Sequence, residues 1–189
     1  MPMRACLVAL VLAGAGLSAQ SYQNTAPETF RANAQATATG GGVAAAFVFQ
    51  VDAYTPDADR ERLVALLTSG GSPAFVEALK QGKAIGYVEL GTRKVVIRYA
   101  RAQASANGGR RIVLVTDAPV FFVGGGELEA KARDGYDVAV VEFEVDSVGL
   151  GSGRMAAAAK VKAGGPAGVA IDDYAQEPIK LVTVTRTVS

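Results

Sequence analysis

Apolar and polar residues alternate along most of this chain, and one stretch breaks the alternation. In "VAAAFVFQVDAYT", Phe47, Phe49 and Val51 alternate with Val48 and Gln50, the two-residue period of a half-buried strand. Residues Thr29 to Thr39 predict a weaker, alanine-rich strand. Beyond Gly82 the alternation resumes in "KAIGYVEL", "RKVVIRYARA", "RRIVLVTD" and "DVAVVEFEVDSV". Glycine turns at "GLGSG" and "GGPAG" then lead into "RMAAAAKVKA" and "VAIDDYAQEPIKLVTVTR". The expected apolar faces are Val95, Ile97 and Tyr99 with Arg98 opposite, then Ile112, Leu114 and Thr116. Ala139, Val141, Phe143 and Val145 should share a face against Glu142, Glu144 and Asp146. Pro178 cannot donate to a ladder, which predicts a bulge or bend near Gln176-Glu177.

The interrupting stretch has a helical period. In "TPDADRERLVALLTSGG", Thr55 suits the cap, Pro56 the first position, and Asp57 and Asp59 the positive end of a helix. Leu63, Leu66 and Leu67 form its stripe, and Gly70-Gly71 stops it. "SPAFVEALKQGK" repeats the grammar, with Ser72 as cap, Pro73 first, Phe75, Val76 and Leu79 as stripe, and Gly82 as stop. A two-helix hairpin is expected, with its stripes on Phe143, Val141, Ile97 and Leu114. Strands this close together cannot be parallel, because a parallel pair needs a crossover of a dozen or so residues. The predicted fold is α+β. It is an antiparallel β-meander, a curved sheet or partly closed barrel, with the helical hairpin inserted after an early strand. A Greek-key sandwich is the second choice.

Composition changes the picture at the N-terminus. "MPMRACLVALVLAGAGLSAQ" has one early charge, Arg4, an apolar run to Leu17 and a small-residue pattern before Gln20. This predicts a signal peptide over residues 1–19, a flexible polar tail over 20–28 and a single domain over 29–189. The expected location is periplasmic or secreted. The apolar run falls short of the ~20 residues that span a bilayer, so no membrane-spanning segment is expected. Cys6 precedes most of that run, unlike a lipoprotein cysteine.

The chain contains no histidine and no tryptophan, and its one cysteine lies in the leader. These absences exclude a Ser-His-Asp triad, a Cys-His pair, and zinc sites of histidine or cysteine. Without Arg4 the basic and acidic residues balance, and no basic stripe stands out, so nucleic acid is not an expected partner. Catalysis would rest on carboxylates, Lys, Tyr or Ser. No cofactor and no metal are expected.

Four groups of residues invite a chemical reading. Gly124-Gly125-Gly126 looks like a phosphate loop, but Asp117-Ala118-Pro119 interrupts the strand before it and no G-K-[ST] follows. A glycine-hinged excursion between strands is the preferred reading. Asp52, Asp57, Asp59 and Glu61 could attract calcium, yet helix capping and dipole compensation account for Asp57 and Asp59. Asp172, Asp173 and Glu177 could form an acid/base pair, although adjacent strand residues face opposite sides. Finally, the preferred reading sets Arg98, Arg101, Arg110 and Arg111 against Glu142, Glu144 and Asp146 as a cross-strand charge ladder, and the alternative makes Arg98, Arg101, Glu142 and Glu144 the candidate ligand-binding residues.

Several segments together resemble a family of uncharacterised exported bacterial proteins. They are "FRANAQATATGGG", "VDAYTPDADRERLVALLTSGGSPAFVEALKQGKAIGYV", "IRYARA", "GGRRIVLVTDAPV", "VVEFEVDSVGLGSGRM" and "IDDYAQEPIKLVTV". The family pattern falls on Arg98 to Arg101, Gly108 to Pro119, Val141 to Met155 and Tyr174 to Leu181. Ala118 departs from it, as do Ser152-Gly153-Arg154, "QEP" and the glycine loop. The resemblance implies export and a shared fold, and supplies no catalytic residue.

The resulting expectation is an exported, non-enzymatic binding or interaction domain. It would enclose a small apolar ligand between helical hairpin and sheet, with Leu63, Leu66, Phe75, Leu79, Ile97, Leu114 and Phe143 lining the cavity, or bind an envelope protein. A carboxylate-based hydrolase and a structural subunit of an envelope assembly are the alternatives.

Overall fold

The computed structural model describes residues 26–38, 41–105, 108–120 and 133–187. The Gly124–Gly126 loop and residues 1–19 lie outside the described residues. The elements run β1 (Glu28–Ala38), β2 (Gly41–Val51), α1 (Asp57–Gln81), β3 (Gly86–Leu90), β4 (Arg93–Ala104), β5 (Arg110–Thr116), β6 (Val138–Val145), β7 (Leu150–Ala163), β8 (Val169–Tyr174) and β9 (Ile179–Thr187). Every pairing is antiparallel. Strands β1 to β6 pair in chain order, β6 pairs with β7, β7 with β9, and β9 with β1. The sheet therefore closes into an eight-stranded barrel, with β8 outside the ring.

β7 explains that arrangement. Its first half pairs with β9, from Leu150↔Thr185 to Met155↔Ile179, and its second half pairs with β8, from Ala159↔Tyr174 to Ala163↔Val169. β8 and β9 are thus successive stretches along one edge of β7, separated by the break that Pro178 predicts. Closure leaves no open edge in the ring itself. The turn expected at "GLGSG" occurs earlier, over 146–149, and Gly151 and Gly153 already belong to β7. Glycine is required at Gly153 because a Cβ there would lie 2.5 Å from the Cβ of Phe143.

The strands carry two cores on opposite faces. The lumen holds Phe30, Phe47, Phe49, Ile97, Ile112, Leu114, Val141, Phe143 and Met155 among others. Phe143 packs edge-on against Phe30 at 4.8 Å and stacks with Phe49 at 5.7 Å. Charged residues such as Arg111, Glu144 and Arg154 lie outside, the reverse of a barrel whose apolar band faces lipid. No helix among the described residues is long and apolar enough to cross a membrane.

The second core lies between the barrel wall and α1. Leu63, Leu67, Phe75, Val76 and Leu79 pack with Tyr99, Val113, Val115, Val138, Val140, Ala156, Ala159 and Val161. The helical stripes therefore do not meet Phe143, Val141, Ile97 and Leu114, which point into the lumen. The expected partners lie on the wrong face of the same strands. Strands β5 and β6 are apolar on both faces here, so alternation alone does not say which face the helix takes. A bulge sharpens the point. Ile97 pairs with Thr116 but Tyr99 pairs with Val115, so the expected shared face of Ile97 and Tyr99 is split, Ile97 inward and Tyr99 outward.

The expected two-helix hairpin is a single helical element. Only Gly71, at φ 68° and ψ −166°, departs from helical geometry inside it. Two helical arms meet at that kink, with Pro73 just beyond it, and no separate loop divides them. The expected caps have other duties too. Thr55 Oγ1 accepts from the amide of Ala100 at 3.0 Å, and Ser72 Oγ accepts from the amide of Val161 at 3.3 Å. Both hydroxyls fasten α1 and its approach to the wall instead of closing a helix end.

Candidate functional site

Two constructions stand out, a cleft beside α1 and a buried charge cluster inside the barrel. The cleft has a volume of about 430 Å³. Its wall includes Tyr54, Thr55, Leu63, Ala78, Leu79 and Ile85, and its exposed margin includes Asp59, Arg62, Gln81 and Lys83. In a straight helix Leu63 and Leu79 would be about 24 Å apart. The bend at Gly71 is what lets both arms of α1 line one cavity.

Arg98 stands at the cleft's edge. Its Nε donates to Asp117 Oδ2 at 2.9 Å, and its Nη1 donates to the carbonyl of Gly82 at 2.5 Å. The second contact satisfies a carbonyl at the C-terminal end of α1 and holds that end to β4. Arg98 can do so because it occupies the bulge between Ile97 and Tyr99.

The charge cluster sits at the barrel end where β1 and β5 begin and β9 ends. Glu28 is 1% exposed and Arg110 2% exposed. Arg110 donates two parallel bonds to Glu28, Nη1 to Oε1 at 2.8 Å and Nη2 to Oε2 at 2.7 Å. Arg186 Nε donates to Oε2 at 2.7 Å, and the Tyr54 hydroxyl donates to Oε1. Burial alone would push the Glu28 carboxyl up. Hydrogen bonds from Arg110 and Tyr54, with the charges of Arg110 and Arg186, together outweigh burial and hold it below its ordinary 4.5. Burial and the bond to Glu28 push the Tyr54 hydroxyl well up. Tyr54 also lines the cleft, so one ring separates the two constructions.

Glu28 belongs to the expected flexible tail in sequence, yet it is the first residue of β1 and buried. Its signal was weak but present: Glu28, Phe30, Ala32 and Ala34 keep the two-residue period one step further back. Arg110 was expected on the charge ladder with Arg111. Ladder and lumen instead divide them, because adjacent strand residues face opposite sides.

The remaining candidates are distributed as follows. Glu144 accepts from Arg111 Nε at 2.7 Å, and Glu142 accepts from Arg154 Nη2 at 2.7 Å, forming an exposed ladder across β5, β6 and β7. Arg101 pairs with Asp57 at 2.8 Å, so Arg98 and Arg101 do not join Glu142 and Glu144 in one site. Leu63 and Leu79 line the cleft, Phe75 belongs to the outer core, and Leu66 is half-buried. Ile97, Leu114 and Phe143 lie in the lumen, across the wall from them. Around the aspartate cluster the carboxylates meet arginines, Asp57 with Arg60 and Arg101, and Asp59 with Arg62. No grouping of three metal-binding side chains occurs among the described residues. Asp172 pairs with Lys162 at 3.1 Å, while Asp173 accepts from the Tyr136 hydroxyl at 2.5 Å.

No protein-family model, curated protein or solved structure matches this chain.

Proposed function

We propose that this chain is an exported binding domain, without catalysis, that holds a small apolar ligand in the cleft between α1 and the barrel. The observation that carries the reading is the cleft itself. Its volume falls in the range of small-molecule sites, and it joins an apolar wall of Tyr54, Leu63, Ala78, Leu79 and Ile85 to a polar and charged margin. The lumen favours the same choice, because aromatic side chains fill the barrel where a ligand would otherwise enter. A carboxylate-based hydrolase has less support. The buried carboxylate among the described residues is Glu28, and two arginines and a tyrosine occupy its oxygens.

Nile red, a neutral apolar dye, provides the test. Its fluorescence should rise on binding to the wild type. Ala78→Phe, which fills the cleft, should abolish that rise while the protein keeps its cooperative melt. Undiminished dye binding by a folded Ala78→Phe variant would overturn the reading.

A further inference from the structure

We infer that the ligand of the cleft is an amphiphile with an anionic head, a short carboxylate or sulfonate carried on an aliphatic chain. This inference rests on the cleft being the binding site. The cleft brings together three cationic side chains, Arg62, Lys83 and Arg98, and one acidic side chain, Asp59. Their commitments differ. Arg98 is spent on Asp117 and on the carbonyl of Gly82. Arg62 reaches Asp59 only at 3.9 Å, the limit of an ion pair, and both are exposed. Lys83 has no ion-pair partner among the described residues. The excess positive charge thus sits at the margin, with aliphatic Leu63, Leu79 and Ile85 behind it.

That layout matches a molecule with two unlike ends. An apolar chain entering the wall is removed from water, while a head at the margin stays partly hydrated and meets Lys83 and Arg62. A neutral chain would gain only the first contribution. A cationic chain would meet like charge at the mouth. Because both cations are exposed, the head contributes modestly to affinity and mainly to selectivity, and salt should screen it.

The experiment compares octanoate, octanol and octylammonium on the mature chain, all below their micelle concentrations. Isotope-edited methyl spectra report binding through the Leu63, Leu79 and Ile85 resonances. Octanoate should bind at the cleft about fivefold more tightly than octanol, the effect of one or two exposed charge pairs. Octylammonium should bind most weakly. The preference for octanoate should vanish in Lys83→Gln/Arg62→Gln, whose altered side chains are both exposed, and shrink at high salt. If octanol binds as tightly as octanoate at the same methyls, the anionic head is refuted while the cleft survives as a site. If none of the three perturbs these methyls, both the head and the cleft reading fail. Octanoate shifts confined to the β5–β7 outer face would also overturn the inference.

Discussion

The lumen and the outer layer of this protein are built from the same strands and solve different problems. In the lumen, aromatic rings interlock and one end is closed by Glu28 held between Arg110 and Arg186. In the outer layer, aliphatic side chains of α1 lie on valines and alanines of β5, β6 and β7, and a cleft remains beside them. The difference is one of closure. A barrel has no exposed hydrogen-bonding edge and can fill its interior from all sides. A bent helix laid on a convex wall covers only part of it. The lumen is therefore the fully packed layer, and the outer layer is where open space remains.

The largest expected effect tests the sealed end. Glu28→Ala leaves Arg110 buried without its two-pronged acceptor, and should cost about 3–5 kcal/mol in urea unfolding. Replacing Glu28 and Arg110 together by methionine should cost clearly less, because no fully buried charge is then stranded and the partly exposed Arg186 can hydrate in place of its bond to Glu28. Equal losses in the single and double variants would mean that the cluster acts through packing and not through charge.

The outer core provides the matching perturbation. Leu79→Ala should cost about 3 kcal/mol, within the range for a buried leucine. It should also raise hydrogen exchange across α1 while the amides of β5 stay protected, since the two cores lie on opposite faces of the wall. Loss of protection in both regions together would show one cooperative unit and erase the distinction.

Acid provides a third, smaller lever. The Glu28 carboxyl is held below its ordinary value of 4.5 when folded. A depressed folded value means that its contribution is complete above the unfolded value and is lost as pH falls through the folded one. The wild type should therefore lose thermal stability more steeply than Glu28→Gln as pH falls below about 4.5, the ordinary value of the carboxyl. Parallel profiles would remove Glu28 from the account of acid sensitivity.

The smallest effects concern the fastenings of α1. Thr55→Val and Ser72→Ala each leave a backbone amide without its acceptor and should cost about 1–2 kcal/mol for the better buried Thr55 and less for Ser72. Arg154→Ala, on the exposed ladder, should change stability by no more than about 0.5 kcal/mol. A loss at Arg154 larger than at Thr55 would invert this ordering of buried over exposed contacts.

Much of the strand plan was readable from residue order. Ala139, Val141, Phe143 and Val145 do share one buried face, and Pro178 does interrupt the last long strand. Of the expected ladder, Glu144 does meet Arg111, whereas Glu142 meets Arg154 and the other three arginines go to Asp117, Asp57 and Glu28. The cleft was legible only in part. Leu63 and Leu79 carry the helical period that marks them as apolar-facing, but nothing in that period says that they share a cavity. Glu28 was missed because a strand beginning with a charged residue looks like the end of a polar tail.

By itself the sequence determined most of the strands and the one helical stretch that interrupts them, since period, glycine and proline act over a few neighbouring residues. It also settled which chemistries are absent, because a chain without histidine cannot place one anywhere. Only the tertiary structure decided that the meander closes, which depends on β1 meeting β9 across almost the whole chain. The structure likewise decided which face of the doubly apolar strands the helix covers, a choice to which a two-residue period is blind. It placed Arg110 beside Glu28 as well, 82 residues apart, where closing the barrel makes a buried pair out of two residues that look solvent-facing in the sequence.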